Sequence, residues 1–279
     1  MKVKNKIKIH SDDIKLFTYL YIFQVATINQ IRRDLFPKRD ITSVVRRLSK
    51  LKKNGFLEKK VCFDSDWDCV VYSTTKKVFK NYLRHFHIEG RPEQMSSASL
   101  AHDLTLIEIR KRLKQFKEVS NYYTENLIRS STLVEESFPV EDLRDLRNDA
   151  VFKLEYQQKF HHIALEYEAS IKDRQRYSDK FLNYCLRDKV SGVFFVCKKK
   201  QHLKKIMQFE KDCCGPYAPK FYYIVLEDLL CEKSFATFYN RNGNKITLHV
   251  KIKPENQVVN QSCQLAVNQL TSKIGHQLS

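Results

Sequence analysis

Apolar residues recur at helical spacing over three stretches near the start of the chain. Residues 11–23 predict a first helix, because apolar side chains repeat every three or four positions and would share one face. Thr27 is a typical N-cap for a second helix, which Pro37 would end because proline cannot continue a helix. Asp40 would cap a third helix, and Asn54 with the glycine after it would end that helix.

The third predicted helix has one apolar face and one polar face. The apolar stripe expected to face the core consists of Ile41, Val44, Val45, Leu48 and Leu51. The polar side chains expected to face outward are Thr42, Ser43, Arg46, Arg47, Ser49, Lys50 and Lys53. Short polar groups and cations on an exposed helix are typical of a surface that contacts phosphates and base edges of DNA.

Two β-rich runs follow the third helix, at residues 56–63 and 70–74, and a short acidic segment joins them. Three helices and a hairpin predict a winged helix-turn-helix over residues 1–95, with its third helix in the major groove. Aspartates at the tip of the wing would repel phosphate, so Lys59 and Lys60 are the DNA contacts expected there. A winged helix that binds only protein is the alternative.

A segment with glycine, proline and serine residues separates this domain from a second one, predicted at residues 96–253. A polar tail rich in glutamine and asparagine, residues 254–279, ends the chain. The elements expected in the second domain are a helix at 100–116, strands at 119–123, 148–154 and 160–169, a helix at 173–187 and a strand at 193–197. The fold class expected for the whole chain is α+β.

The strands at 148–154 and 160–169 carry the most informative pattern. If their hairpin turns at Gln157 and Gln158, Asp149 lies directly across from Glu166, and Glu168 shares their face. Carboxylates at facing positions, about 5 Å apart, can chelate one divalent ion, and their repulsion favours a cation between them. The opposite face would carry the apolar residues Ala150, Phe152, Leu154, Ile163 and Leu165. A solvated strand face with lysines as counter-charges is the alternative.

The charge composition favours a polyanionic partner. Lys and Arg total 50 against 32 Asp and Glu, which gives a net charge of +18 and a pI of about 9.5. No apolar run approaches the roughly 20 residues of a spanning helix, and the N terminus lacks the apolar segment of a secretory signal, so no membrane association is expected. Eight cysteines without dense spacing indicate reduced thiols in a cytoplasmic protein.

A family resemblance depends on four stretches of the second domain. They are Asn148-Asp149, residues 164–172, Arg176-Tyr177 and residues 180–184. These residues and the elements around them resemble the PD-(D/E)XK nuclease core. Joined to a winged helix, the layout resembles the replication-relaxation group of plasmid proteins and, within it, the MobC-type relaxases of mobilisable plasmids, over residues 10–200. Asn148 stands in place of the family's usual proline, and Glu168 in place of the superfamily's lysine.

The resemblance implies an endonuclease that nicks supercoiled plasmid DNA at an origin through a metal-activated water. It implies that Asp149 and Glu166 hold Mg²⁺ or Mn²⁺, with Glu168 completing the ligand set. Lys172 or Lys180 would replace the missing lysine and stabilise the transition state. The partners implied are double-stranded DNA, an accessory mobilisation protein and a second copy of the chain. The residues expected to contact DNA are Thr42, Ser43, Arg46, Arg47, Lys50, Lys53, Lys59, Lys60 and Arg176.

Two other functions are consistent with the sequence. A relaxase of the histidine-hydrophobe-histidine type uses two metal-binding histidines and a tyrosine nucleophile, and His85-Phe86-His87 with Tyr122-Tyr123 supplies those residue types. These histidines fall at the end of a predicted helix, which would splay them apart, whereas a strand would point both to one side. The second alternative is a sequence-specific DNA-binding protein that initiates plasmid replication or represses transcription without cutting DNA. The acidic hairpin favours the nuclease.

Overall fold

The computed structural model describes residues 7–87, 97, 99–130, 132, 134–135, 138–215 and 220–251. Within them the chain is a mixed α+β protein, as the sequence predicts. It divides into two compact units between Leu104 and Thr105. This division falls inside a helix, whereas the sequence places the domain boundary between residues 95 and 96. The predicted tail, residues 254–279, lies outside the described residues.

The first unit contains a small antiparallel sheet with helices packed around it. Its helices are α1 (Ser11–Phe23), α2 (Ile28–Leu35), α3 (Ile41–Lys53) and α4 (Lys76–Val78), the last continued by a π-helical turn (Phe79–Leu83) and a 3₁₀ turn (Arg84–Phe86). Its strands are β1 (Ala26–Thr27), β2 (Leu57–Phe63) and β3 (Asp68–Thr74), paired in the order β1-β3-β2. The three predicted helices and the predicted hairpin are therefore confirmed.

The predicted helix starts are confirmed by the capping contacts. The Thr27 side chain accepts a hydrogen bond from the backbone N–H of Gln30 at 3.1 Å, and the Gln30 side chain accepts one from the Thr27 N–H at 3.0 Å. The Asp40 carboxylate accepts a hydrogen bond from the Ser43 N–H at 2.9 Å. These contacts satisfy N–H groups that have no partner inside the helix, so the first residues of α2 and α3 are held in place.

The buried face of α3 is narrower than the sequence predicts. Val44, Leu48 and Leu51 are buried, but Ile41 is 40 % exposed and Val45 is 39 % exposed. Val45 follows Val44 and is therefore rotated from it by about 100° around the helix axis, away from the face that packs against the core. Ile41 lies in the first turn of the helix. The prediction that these two residues are core residues is wrong, and both lie on the outer face with the polar side chains.

The second unit is built on a seven-stranded mixed sheet, counted over the described residues. Its strands are β4 (Val119–Thr124), β5 (Ala150–Tyr156), β6 (Lys159–Glu168), β7 (Gly192–Cys197), β8 (Phe221–Val225), β9 (Phe235–Tyr239) and β10 (Lys245–His249). Its helices are α5 (Leu100–Leu113), which begins in the first unit, α6 (Glu125–Ser130), α7 (Val140–Leu146), α8 (Arg174–Cys185), α9 (Lys200–Cys214) and α10 (Leu226–Leu230). The strand order is β10-β9-β8-β7-β6-β5-β4, and β6, β7 and β8 run parallel.

The predicted hairpin of β5 and β6 is confirmed in its register. Ala150 pairs with Leu165, which is the pairing that follows from a turn at Gln157 and Gln158. Both glutamines have positive φ, 50° and 60°, as a two-residue turn of this kind requires. The predicted apolar face is buried in one core, which contains Ala150, Phe152, Leu154, Ile163 and Leu165. Alternation along β6 then places Glu166 and Glu168 on the opposite face.

Helices cover both faces of this sheet. One face packs against α5 and α10, through Ile109, Leu113 and Leu229. The other face packs against α6 to α9, and the largest apolar residues of this core come from α8, strand β7 and strand β8. They include Tyr177, Phe181, Tyr184, Phe195, Phe221 and Tyr223. The face that carries the two glutamates is therefore a buried layer beneath α8.

The second unit also contains elements that the sequence analysis does not predict. Helices α6 and α7 lie between β4 and β5, so the three predicted strands are not consecutive. Strands β8 to β10 extend the sheet beyond the last predicted strand, and helices α9 and α10 connect strands within this part of the chain.

In the described part of the chain, no helix combines the length and apolar character needed to cross a membrane.

Candidate active site

Glu166 and Glu168 lie on β6 beneath α8. Their residues are only 2 % and 5 % exposed. Ala164, two residues before Glu166 on the same face, belongs to the same core as Phe181 of α8. The alternative of a solvated strand face is therefore wrong for these two glutamates. Two carboxylates in an apolar layer need compensating partners, because burial of an unpaired charge is strongly unfavourable.

Helix α8 supplies those partners from positions four residues apart. The Lys180 Nζ lies 2.6 Å from Glu166 Oε2 and 3.5 Å from Glu168 Oε1. The Tyr184 hydroxyl donates a hydrogen bond to Glu166 Oε1. Residues at this spacing share a helix face, so α8 presents both groups to the sheet together. Lys180 thus bridges the two glutamates, and both oxygens of Glu166 are hydrogen-bonded.

The two lysines that the sequence offers as candidates for the site make different contacts. Lys180 contacts the carboxylates, whereas the Lys172 Nζ donates a hydrogen bond to Ser170 Oγ at 2.8 Å. Arg176, four residues before Lys180 on α8, is exposed. Of the two candidates, Lys180 is therefore the one that contacts the carboxylates, and it comes from α8 rather than from β6.

Asp149 directly precedes β5 and approaches β6 from the neighbouring strand. Its Oδ2 accepts a hydrogen bond from the Tyr167 backbone N–H at 2.6 Å, and its own N–H donates to the Leu165 carbonyl at 3.1 Å. These contacts lie on either side of Glu166 in the sequence, as the predicted pairing of Asp149 with Glu166 requires. The backbone of β6 holds the Asp149 carboxylate beside Glu166 and Glu168, so a third carboxylate joins them. These three residues, with Lys180 and Tyr184, are called the acidic group below.

The group has perturbed protonation equilibria. The pKa of Glu166 is raised to about 7, because burial and the nearby Asp149 together outweigh the attraction of Lys180. Burial by itself would lower the pKa of Lys180, but attraction by Glu166, Glu168 and Asp149 raises it above its usual value. Lys180 therefore stays protonated at neutral pH, while Glu166 changes its charge there. Such behaviour is typical of functional sites.

The chemistry of the donors fits a hard divalent cation. Three carboxylates supply only oxygen ligands, which Mg²⁺ and Mn²⁺ prefer. As arranged in the described residues, no three His, Cys, Asp or Glu side chains converge closely enough to form a metal-holding group. A divalent cation at Glu166 would compete with Lys180 for the carboxylate oxygens.

The outer face of α3 is the second candidate surface, and it differs from the prediction at one arginine. Thr42, Ser43, Arg46, Lys50 and Lys53 are exposed. Arg47 instead forms a bidentate ion pair with Asp13 of α1, in which Arg47 Nε lies 2.7 Å from Asp13 Oδ1. Arg47 also donates a hydrogen bond to the Lys8 carbonyl. Asp13 is buried and would otherwise carry an uncompensated charge. We therefore expect Arg47 to have a structural role in place of the predicted contact with DNA.

Substitution of the two neighbouring arginines by alanine should give different results. We expect Arg46→Ala to lower the slope of log affinity against log salt for DNA by about 0.9, the value for one neutralised phosphate. Its free energy of unfolding should change by less than about 0.5 kcal/mol. Arg47→Ala should cost on the order of 3 kcal/mol, because it leaves Asp13 buried without its partner. Fluorescence titrations over a salt series and urea unfolding measure both effects.

A reversed pattern would contradict this division of roles. If Arg47→Ala keeps the parental unfolding free energy and lowers the salt slope, Arg47 contacts DNA and its pair with Asp13 is not structural. If Arg46→Ala leaves the slope unchanged, its position on α3 is not part of the DNA interface.

The hairpin of β2 and β3, which the sequence predicts as a wing, is less basic than expected. Lys59 is exposed on β2, whereas Lys60 is partly buried and its Nζ lies 3.8 Å from Glu58. Adjacent strand residues point to opposite faces, so only one of these lysines can face a duplex that approaches from one side. At the tip, the Asp66 N–H donates to Asp64 Oδ1 at 3.2 Å within a tight turn. The hairpin therefore presents one lysine to a partner on either side, and its tip is acidic.

The alternative relaxase mechanism would use tyrosines of the second unit and histidines of the first. Tyr122 is buried, and burial raises its pKa. Burial also raises the pKa of Tyr123 to about 12, and its ring packs against Phe138. His85 and His87 lie at the end of the 3₁₀ turn, where His85 is exposed and the His87 ring packs against Phe79. The helical placement that argued against a histidine pair is confirmed.

Tyr184, whose hydroxyl donates to Glu166, is not among the predicted site residues. Its spacing of four residues from Lys180 predicts from the sequence that both lie on one face of α8, and their shared contact with Glu166 confirms this.

Comparisons of the whole chain with protein-family models, with curated proteins and with solved structures found no match.

Proposed function

We propose that this protein is a metal-dependent endonuclease that nicks DNA. Its active site would consist of Asp149, Glu166, Glu168 and Lys180. The observation that carries the proposal is the Lys180 bridge: one ammonium lies 2.6 Å from Glu166 and 3.5 Å from Glu168 on the sheet face where Asp149 meets β6. A PD-(D/E)XK site combines two carboxylates with a lysine; here Glu168 adds a third carboxylate, and the lysine comes from α8.

The roles of the four residues follow from their chemistry. Asp149 and Glu166 would hold Mg²⁺ or Mn²⁺, with Glu168 as a further ligand. A cation bound there supplies the charge that lowers the pKa of a water molecule and offsets the charge of the phosphate. Lys180, protonated at neutral pH, would donate to a phosphate oxygen as negative charge develops on it. Tyr184 holds one oxygen of Glu166 and so orients the carboxylate.

The first unit supports the DNA-binding part of the proposal. Three helices and a β-hairpin in this order are the elements of a winged helix-turn-helix. Its third helix, α3, has an exposed face with Arg46, Lys50 and Lys53. We propose that α3 holds duplex DNA, through the major groove, while the second unit cuts one strand. The resemblance to replication-relaxation proteins makes an origin on a plasmid or other mobile element the proposed target.

A sequence-specific DNA-binding protein without nuclease activity is the second candidate. The observation that favours it is the engagement of Glu166, whose two oxygens already accept hydrogen bonds from Lys180 and Tyr184. An acidic group that is neutralised within the protein can be a structural element of the sheet. In that case the second unit would serve as a platform for dimerisation or docking.

Incubation with supercoiled plasmid tests the proposal. We expect nicked circles to accumulate in Mg²⁺ or Mn²⁺, and none to form in EDTA. Denaturing gels should show free nicked DNA, because a water nucleophile leaves no covalent link to the protein. Burial raises the pKa of both Tyr122 and Tyr123, which disfavours a tyrosinate nucleophile. Tyr123→Phe should therefore nick at the parental rate.

Two outcomes of this assay would replace the proposal. Plasmid that is bound but left intact with either metal would favour the DNA-binding protein. A protein-linked strand that disappears in Tyr122→Phe or Tyr123→Phe would establish the tyrosine mechanism instead.

A further inference from the structure

We propose that the lysines between β7 and the second turn of α9 bind the phosphodiester backbone of the DNA strand presented to the acidic group. These residues are Lys198, Lys199, Lys200, Lys204 and Lys205. The inference deepens the proposed function, since it takes DNA as the ligand. It concerns binding, however, and can be tested without any cleavage.

The lysine run begins beside the acidic group. Strands β6 and β7 are parallel neighbours, and Glu168 pairs with Cys197 at their carboxyl ends. The backbone N–H of Lys198 donates to the Glu168 carbonyl at 3.0 Å. The chain thus passes from the residue beside Glu168 directly into the lysine run. Ligands of sheets with parallel strands bind at the carboxyl ends of those strands, which is where both groups lie.

The run is exposed and contains no acidic residue. Lys199, Lys200, Lys204 and Lys205 are exposed. The next acid along α9 is Glu210, which is fully buried and accepts a hydrogen bond from the Tyr223 hydroxyl at 2.7 Å. It contributes nothing to the charge of the surface that the lysines form. This end of α9 therefore presents a concentrated positive charge to solvent.

The position of the lysines is unfavourable for the helix itself. Helix dipoles favour anions at the N terminus, yet the first turn of α9 contains no acidic residue and begins with Lys200. Its N-cap, Lys199, makes no side-chain capping hydrogen bond. Cations here repel the positive end of the dipole, and an anion bound between them would relieve that repulsion. The lysines at the N terminus of α9 therefore do not stabilise the helix, but they can bind an anionic ligand.

The spacing indicates a chain of phosphates. Lys200 and Lys204 are one helical turn apart on the same side of α9, about 6 Å along its axis. Two cations in a row along one helix face can meet neighbouring phosphates of one strand, and Lys199 adds a third exposed cation at the N-cap position. A nucleic acid backbone offers such a row of charges and, in the proposed function, also the bond to be cut.

The test compares two triple variants of the full chain that remove the same charge. The test variant is Lys199→Ala with Lys200→Ala and Lys204→Ala. The control replaces three exposed lysines elsewhere in the second unit, Lys159, Lys233 and Lys245, by alanine. Lys159 starts β6 and so lies at the opposite end of that strand from Glu168. The anisotropy of a fluorescent DNA duplex is titrated with each protein over a salt series in EDTA.

We expect the test variant to lower the salt slope by about 2 to 3, at about 0.9 for each phosphate that the protein no longer neutralises. The control should keep the parental slope. Equal slopes for the two variants would overturn the proposal. Because the titration is done in EDTA, it is independent of nicking. A parent that binds through these lysines but never nicks would refute the nuclease and leave the binding surface in place, and a parent that nicks with equal slopes would do the reverse.

Discussion

Replacement of Glu166 by glutamine should abolish nicking and leave both the fold and DNA affinity intact. The amide removes the negative charge that would hold a divalent cation, so we expect the rate to fall by about three orders of magnitude or more. Its oxygen can still accept from Lys180, and its NH₂ group can donate to the Tyr184 hydroxyl. Alanine would leave both partners unsatisfied in a buried layer. The Glu166→Gln substitution therefore tests catalysis without the loss of stability expected for alanine.

The assay is relaxation of supercoiled plasmid, with DNA binding measured separately in EDTA. Glu155→Gln is the matched control, because Glu155 lies on the same hairpin but is exposed. It should nick at the parental rate. Asp149→Asn should behave like Glu166→Gln, since the asparagine oxygen can still accept from the Tyr167 N–H. A folded Glu166→Gln protein that relaxes plasmid as fast as its parent would show that the acidic group is not the active site.

Substitution of Lys180 by methionine should destabilise the protein by about 3 kcal/mol or more at pH 8 in the absence of metal. Methionine has a similar length, so the expected loss comes from the charge: Glu166 and Glu168 would remain buried without their shared cation. Urea unfolding in EDTA measures the effect. Lys172→Met is the control, because the Lys172 ammonium bonds to Ser170 rather than to a carboxylate of the group, and it should change the unfolding free energy by less than about 0.5 kcal/mol.

The free energy of unfolding of the parent protein should also depend on pH through Glu166. In the unfolded chain Glu166 has its ordinary pKa of 4.5, whereas burial raises the folded pKa to about 7. Between these values the folded protein retains a proton that the unfolded chain has released. The contribution of Glu166 is therefore fully present below about pH 4.5 and is lost as the pH rises through about 7, a decrease of about 3 kcal/mol.

Removal of Lys180 should enlarge this pH effect. Lys180 lowers the pKa of Glu166, so Lys180→Met should move the upper end of the pH window above 7. The difference in stability between variant and parent should then be larger at pH 8 than at pH 5, where Glu166 is protonated. A difference that is equal at the two pH values would show that Lys180 stabilises the fold by packing rather than by its charge.

The hairpin could be predicted because its determinants are local. Alternating apolar residues define its two faces, and a two-residue turn at Gln157 and Gln158 then determines the register. The burial of Glu166 could not be predicted in the same way. It depends on α8, which follows β6 and covers the face that carries the glutamates. A strand periodicity shows which residues share a face but not what packs on that face.

The role of Arg47 could not be predicted for a related reason. Its partner Asp13 is 34 residues away on α1, and the apolar pattern of α3 carries no information about that contact. The helix period allows a broad apolar stripe that includes Ile41 and Val45, whereas the neighbours of α3 cover only the seam through Val44 and Leu48. Such differences arise from tertiary contacts rather than from helix propensity.

The bridge from Lys180 to the two glutamates also means that the protein carries its own counter-ion. Proteins whose metal ligands are balanced only by the metal unfold when a chelator removes it. Here the ammonium already neutralises part of the buried negative charge, and it comes from the same helix whose Tyr177 and Phe181 pack in the core. Under the proposed function, chelation should therefore stop nicking reversibly without unfolding the protein, because the charge balance of the metal-free form does not depend on the metal alone.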